Sequence, residues 1–184
     1  MNFRFLDERI NYDGSQLRPH FVSEILREFG NGMVAFEGEC EIPFSHMVDK
    51  EDVYESSPIR SPLMLHFIGE FFLLSLRETV LLQRLFMREL TQFLSHLSER
   101  KLKCKGDDIY LGEDKLSISI VTATPTSTLM HVGVNIRTDN TPVPTVGLEQ
   151  LKVDSRVVAL HMMNWLAGEI QSIERACAKV KPVI

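Results

Sequence analysis

The stretch Asp108-Ile109-Tyr110-Leu111-Gly112-Glu113-Asp114-Lys115-Leu116-Ser117-Ile118-Ser119-Ile120-Val121-Thr122-Ala123 decides the fold. Strand-forming residues run into Gly112-Glu113-Asp114, a turn, and beyond Lys115 the residues Leu116, Ile118 and Ile120 stand two apart with Ser117 and Ser119 between them. Alternation with period two marks a strand whose two faces meet different surroundings. A second turn through 124–127 and the run Thr128 to Arg137 complete a three-stranded meander. Such a sheet has one apolar and one small polar face, and the small polar face is where a ligand could lie close to the backbone.

Outward from the meander, apolar residues recur at helical spacing from Leu63 to about Leu97: Leu65, Ile68 and Phe72, then Leu81, Leu85, Leu90, Phe93 and Leu97. This predicts one long helix or two consecutive ones, with Ser61-Pro62 as N-cap and first-turn proline and Glu99-Arg100-Lys101 at the end. A final helix is expected from Asp154 to about Lys179, with Val157, Leu160, Met163, Leu166 and Ile170 on its apolar stripe. At the other end, a strand over Phe3 to Ile10 leads to a turn at Asn11 to Ser15, where Asp13-Gly14 favours positive φ. Residues His20 to Phe29 carry a helical stripe of Phe21, Ile25, Leu26 and Phe29, ended by Gly30-Asn31-Gly32. Met33 to Phe36 reads as a short buried strand, and the irregular segment Glu37 to Pro62 is the natural lid. No repeat or linker divides the chain, so the expectation is a single α+β domain over 1–184: N-terminal strands and lid in 1–62, then helix, meander and C-terminal helix in 63–184.

Composition excludes several classes. With 20 Lys+Arg against 25 Asp+Glu in 184 residues, the net charge is −5, and no basic excess argues for nucleic acid. No run reaches the roughly 18 apolar residues a membrane span needs, and acids stand where a signal peptide would be apolar. Cys40, Cys104 and Cys177 are odd in number and form no CxxC, which fits a reducing, cytoplasmic setting. Cys40, His46, Asp49, His66 and His131 lack the close spacing of metal ligands, so no metal site is expected, and His66 reads as a core histidine on the predicted helix.

Among the polar residues, Asp13-Gly14-Ser15-Gln16 suits a turn that holds a polar head group through backbone N–H donors, but it lacks the lysine of a P-loop. His131 is a candidate acid/base or ligand donor, and Asn135 could hold a ligand amide. Asp107 and Asp108, adjacent on a strand, should point to opposite faces, so only one reaches a pocket and no glycosidase pair forms. The Ser-x-Ser at 117 and 119 has no nucleophile-elbow context. Phe67, Phe71 and Phe72, spread around the predicted helix, would offer a homodimer interface.

Lys105-Gly106-Asp107-Asp108-Ile109-Tyr110-Leu111, Lys115-Leu116-Ser117 and Val132-Gly133-Val134-Asn135-Ile136 resemble in order and spacing the catalytic core of biotin and lipoyl protein ligases. The resemblance runs from about Glu78 to Ile173 and implies a class II synthetase-like mixed antiparallel sheet flanked by helices. It implies that Lys115 faces the carboxylate or acyl-phosphate of a substrate, where a fixed ammonium stabilises developing negative charge. The chain departs from those ligases in having no GRGR-like or RRxxGGG-like stretch, and ATP is a candidate cofactor without its Gly-rich phosphate loop. Ile118 stands where biotin ligases often have glycine, nearer the lipoyl-transferase variety, and 138–148 holds no cysteine for a covalent acyl intermediate. Over the whole chain, Tyr12 to Leu17, Met47-Val48-Asp49 to Asp52-Val53, Lys105 to Asp108 and Thr145 to Glu149 resemble a small prokaryotic family, the domain of unknown function numbered 366. These readings converge on a protein that binds a small carboxylate or nucleotide-like ligand through Asp13, Gly14, Ser15, Gln16, Asp108, Ser117 and Asn135. Lys115 and His131 are then the catalytic candidates for activating or transferring an acyl group. The alternative is a non-catalytic sensor or a dimeric scaffold.

Overall fold

The computed structural model describes residues 1–183. In chain order they form β1 (Asn2–Phe5), α1 (Phe21–Leu26), β2 (Gly32–Ile42), a 3₁₀ turn (Phe44–His46), α2 (Lys50–Glu55), β3 (Ile59–Phe71), α3 (Leu76–Ser98), β4 (Lys103–Lys105), β5 (Asp108–Leu111), β6 (Asp114–Lys115), β7 (Ser117–Ala123), β8 (Thr128–Arg137), α4 (Leu148–Leu151) and α5 (Ser155–Ala178). The main sheet has the order β1-β2-β3-β8-β7, with β1 parallel to β2 and the other neighbours antiparallel. A small sheet, β4-β5-β6, stands beside it. This is a mixed α+β architecture. No helix among the described residues is long and apolar enough to cross a membrane.

The helix expected from Leu63 begins thirteen residues later, at Leu76, and Ile59 to Phe71 are instead the central strand β3. Its position explains the misreading. β3 lies between β2 and β8, so Leu65, His66, Phe67, Ile68 and Phe71 are all fully buried and no period-two signal survives. The spacing of Leu65, Ile68 and Phe72 therefore matched a helix by coincidence. It follows that Phe67 and Phe71 are core residues, and the aromatic surface expected as a dimer interface does not exist. The helix N-cap is Ser75 rather than Ser61: Ser75 Oγ accepts from Glu78 N–H at 3.2 Å while Glu78 Oε2 accepts from Ser75 N–H at 2.7 Å. Ser75→Ala is expected to lower the unfolding free energy by about 1 kcal/mol, measured by urea titration.

Two layers of core follow from the two faces of the sheet. On one face α3 and α5 press Leu82, Phe86, Leu90, Met162, Met163 and Leu166 against Phe67, Val132 and Val134. The buried stripe of α3 is thus Leu82, Phe86, Leu90 and Leu94, while Leu81, Leu85 and Leu97 of the expected stripe are exposed. In α5, Val157 and Leu160 are likewise exposed and Val158, Ala159 and Met162 take their place. The other face carries a smaller cluster around Tyr12, Val34, Phe36, Met64 and Ile68, closed by Val22 and Leu26 of α1. The α1 helix is shorter than expected and leaves Phe29 exposed. Strand β2 outruns the expected Met33 to Phe36 by six residues, so the irregular segment narrows to 43–58.

β1 ends at Phe5, short of the expected Ile10, yet the chain stays beside β2 through Leu6 N–H to Ala35 O, Ile10 N–H to Glu37 O and Tyr12 N–H to Glu39 O. This approach leaves no space for a side chain at Gly38, whose Cβ would lie 1.8 Å from Ile10 O. The segment delivers Tyr12 to the face of the sheet where a cavity opens.

Candidate functional site

A cavity of about 410 Å3 lies over the β7–β8 end of the sheet, between residues 46–61, the Gly14 turn and the Thr141 to Thr145 loop. Its floor is set by strand register. Ile120 pairs with His131, Ile118 with Gly133, and Met64 with Asn135, so these residues share one face. Both serines of the small polar face line the cavity and are bonded within the protein: Ser117 Oγ accepts from Ile109 N–H at 2.9 Å, and Ser119 Oγ accepts from Gln83 of α3 at 2.7 Å and donates to Asp107 O at 2.9 Å. Ser117 lines the cavity with its hydroxyl engaged by the protein.

Lys115 reaches the cavity because the expected strand from Lys115 to Ala123 breaks at Leu116. Leu116 N–H bonds Ile109 O at 2.8 Å and Leu116 O accepts from Asn135 N–H at 2.9 Å, so Leu116 belongs to neither strand and joins the two sheets. The backbone of Lys115 is held from the other side by Pro144 O and Val146 N–H. Asn135 Nδ2 donates to Lys115 O at 3.3 Å, which ties the end of β8 to the lysine. Lys115 Nζ meets Asp108 Oδ2 at 2.9 Å, and both are partly buried. Burial opposes the lysine's charge, but Asp108, Tyr110 and Asp52 together outweigh it and hold its pKa above the ordinary value. Burial holds the Asp108 carboxyl up despite Lys115.

Three rings form the inner end of the site. Tyr12 stacks on His131 with centroids 3.9 Å apart and on His66 at 5.1 Å, and the two imidazoles share a hydrogen bond of 3.0 Å between His66 Nδ1 and His131 Nε2. The tautomers follow from one carbonyl. His66 Nε2 lies 3.3 Å from Gly38 O, which can only accept, so His66 carries its proton on Nε2 and its Nδ1 accepts from His131 Nε2–H. His131 Nδ1 is then bare. Burial drives the His66 pKa down to about 3 and, with His66 beside it, drives His131 well below the ordinary histidine value, so both are neutral at pH 7. Thus His66 is a buried, hydrogen-bonded histidine, on a strand and not on the helix that its spacing suggested.

Among the described residues Glu70 Oε2 is the buried side-chain polar atom with no partner. Tyr12 Oη, His131 Nδ1 and Asn135 Oδ1 make no hydrogen bond to the protein but are not sealed in the same way, because these three residues line the cavity. Of the Asp13 to Gln16 turn, Gly14 alone lines it. Gly14 has φ +89°, as Asp-Gly suggested, and packs against His46, whose Nδ1–H donates to Asp13 O at 3.0 Å. Asp13 Oδ1 accepts from Ser15 N–H and Ser15 Oγ, and Gln16 spans Asp13 N–H and Asn11 O, so these side chains close the turn on itself. The bond to Ser15 holds the Asp13 carboxyl below the ordinary range.

Both Asp107 and Asp108 line the cavity, contrary to the expectation that only one would. Asp107 sits in the turn before β5, where strand alternation does not apply, and its carboxylate accepts from Arg84 Nη1 at 3.1 Å. The contribution of α2 was not read from the sequence. Asp49 caps this helix by accepting from Glu51 N–H at 2.8 Å, and Asp52 on its first turn faces the Lys115–Asp108 pair. The four acids between Asp49 and Glu55 were the visible signal.

Comparison with known proteins places this geometry. A solved structure of a protein of unknown function from Pyrococcus horikoshi is 32% identical, with TM-score 0.90 over 99% of this chain and 100% of that chain. A biotin protein ligase from Aquifex aeolicus, a mutant form in complex with biotin, is 13% identical with TM-score 0.60 over 95% of this chain and 72% of that one. A putative lipoate protein ligase from T. acidophilum with bound lipoic acid is 12% identical with TM-score 0.57 over 91% and 86%. At those identities the likeness shows the fold, that of biotin and lipoate ligase catalytic domains. The match of residues 1–181 to the family model Domain of unknown function (DUF366) shows that the chain belongs to that family.

Proposed function

We propose that the protein binds a small polar ligand in this cavity, with Lys115 at the ligand's carboxylate or acyl oxygen, and that it serves activation or transfer of that acyl group. The observation that carries the reading is the break at Leu116, which puts Lys115 on the small sheet instead of the main one and aims a partly buried ammonium at an open cavity. Two of its three N–H donors are left for a ligand oxygen after Asp108 takes one. A cation held in a partly desolvated site stabilises negative charge as it develops on an acyl oxygen. His131 Nδ1 suits a hydrogen-bond acceptor that orients the ligand, because a histidine this depressed stays unprotonated at neutral pH.

The lining does not fit a polyphosphate. Six carboxylates, Asp49, Glu51, Asp52, Glu55, Asp107 and Asp108, face the cavity against the two fixed cations Arg60 and Lys115. A second reading, a non-catalytic sensor of the same ligand, is favoured by the ion pair that already occupies Lys115. The scaffold reading loses its support with Phe67 and Phe71 in the core, and a homodimer would need another face. The cytoplasm is the proposed setting, supported by three free thiols, with burial pushing Cys40 up to about 12.

The test is a thermal-shift and calorimetric screen with octanoate, lipoate and biotin, repeated on Lys115→Ala. A ligand at 100 times its Kd adds about 2.7 kcal/mol of stability. Lys115→Ala is expected to weaken binding at least tenfold, and Lys115→Arg less. Unchanged affinity in Lys115→Ala would remove Lys115 from the site, and mass spectrometry for an acyl product separates catalyst from sensor.

A further inference from the structure

The charge and hydrogen-bonding inventory of the cavity carries the ligand assignment one step further, resting on the reading that a small ligand binds there. Three of the six acids around it are engaged, since Asp49 caps α2, Asp107 is paired with Arg84 and Asp108 with Lys115, and two more, Glu51 and Glu55, are exposed to solvent. Asp52 is different. Among the described residues its carboxylate has no hydrogen-bond or ion-pair partner, yet it is part-buried against the cavity opposite the Lys115–Asp108 pair. Burial, then Asp49, raises its pKa, and Lys115 does not compensate.

The cavity floor shows the same bias through independent residues. Tyr12 and His131 are each 1% exposed and Asn135 is 5% exposed, and all three face the cavity with a polar atom that nothing in the protein satisfies. His131 Nδ1, bare by the Gly38 to His66 chain of hydrogen bonds, can only accept, and Asn135 Oδ1 can only accept once its amide donates to Lys115 O. These acceptors open onto the cavity without a protein partner, so a ligand that covers them and displaces solvent has to bring N–H donors or leave them unpaired. The acids are not arranged as a metal cage: among the described residues no three His, Cys, Asp or Glu side chains converge to hold an ion.

We infer that the ligand carries a protonated amine, received by Asp52 and by the acceptor floor of His131 and Asn135, in addition to the carboxylate or acyl oxygen that Lys115 holds. The substrate class is then an amino-carboxylate or its acyl derivative rather than a plain fatty or biotin-like acid. A plain anion meets Lys115 already neutralised by Asp108 and the field of the remaining carboxylates. An ammonium group meets the half-buried, unpaired carboxylate of Asp52 and two acceptors.

The experiment measures Kd by calorimetry for octanoate, 8-aminooctanoate and octylamine on the full chain, and again on Asp52→Asn, with Mg²⁺ alone as a further arm. The expected result is 8-aminooctanoate at least tenfold tighter than octanoate, with the preference abolished in Asp52→Asn. Circular dichroism confirms that the variant is folded, and its octanoate affinity should equal or exceed that of the wild type. Octanoate as tight as 8-aminooctanoate would overturn the amine assignment and leave Lys115 as a carboxylate site. Stabilisation by Mg²⁺ alone, without an amine preference, would overturn it in favour of a metal. Binding of none of the three organic probes would overturn it together with the small-ligand reading, whereas lipoate or biotin binding lost in Lys115→Ala would preserve that reading alone.

Discussion

Gly38→Ala is expected to destabilise the protein by more than about 4 kcal/mol, a fall in Tm of roughly 8–16 °C for a chain of this size. The added Cβ would lie 1.8 Å from Ile10 O and 2.6 Å from Ile10 C, and both obstacles are backbone, which no rotamer change can move aside. Relief requires the Ile10 to Tyr12 segment to leave β2, and that breaks the bonds of Ile10 to Glu37 O and Tyr12 to Glu39 O. Tyr12 would then leave its stack on His131 and His66, so ligand affinity should fall along with stability. The control is Gly168→Ala on α5, where no atom lies within 4 Å of the added methyl and the helix should gain about 0.5–1 kcal/mol. Thermal unfolding of both variants checks the pair. A wild-type Tm for Gly38→Ala would mean that the N-terminal segment does not pack on β2 as described.

The second large effect is acid lability between pH 7 and pH 5. An unfolded histidine titrates near 6.5, whereas burial holds folded His66 near 3, so in this window the unfolded chain binds a proton that the folded chain refuses. Stability is therefore full above the unfolded value and is lost progressively as pH falls below it toward 3. Over the two units His66 alone removes about 2 kcal/mol, and His131, depressed in the same direction, adds to the loss. Asp52 and Asp108 act in the opposite sense, because carboxyls held up by burial favour the folded state as they protonate. The lowered carboxyls Asp13 and Glu78 withdraw their contribution only as pH falls below the unfolded carboxylate values, beneath this window. The expected net is a loss of at least about 2 kcal/mol, read from urea unfolding at pH 7 and 5. A double variant His66→Gln with His131→Gln should be less stable at pH 7 but nearly flat across the window. A flat profile in the wild type would mean that the imidazoles are not sealed in the neutral state.

The same two histidines show how far the sequence could be read. His131 could be placed on the third strand of the meander, because alternation in the strand before it and the polar turn at 124–127 mark where that strand begins. His66 could be placed in the core but not on β3, since a central strand buried on both faces has no alternation to betray it. Their hydrogen bond spans 65 residues of sequence and depends on Gly38, on a third strand. Nothing local to any of the three encodes that contact. Lys115 and Asp108 stood in the stretches that resemble ligases and both line the cavity, yet the break at Leu116 that points the lysine there comes from Ile109, Asn135 and Pro144 competing for neighbouring backbone groups. Asp52 lay in an acid-rich segment read only as a lid, and its place opposite the Lys115–Asp108 pair comes from the position of α2.

What the sequence determined by itself was local chemistry. Asp13-Gly14 made a positive-φ turn, Asp154 capped the last helix, and period-two alternation made β7. Each of these depends on groups within a few residues of one another, where steric and hydrogen-bond preferences act without help from the rest of the fold. The tertiary structure alone decided that residues 59–71 are a strand, that Phe67 and Phe71 are core and not interface, and that one carbonyl sets the protonation pattern of two buried rings. Those outcomes turn on desolvation, which exists only once distant segments have closed over a group and removed it from water.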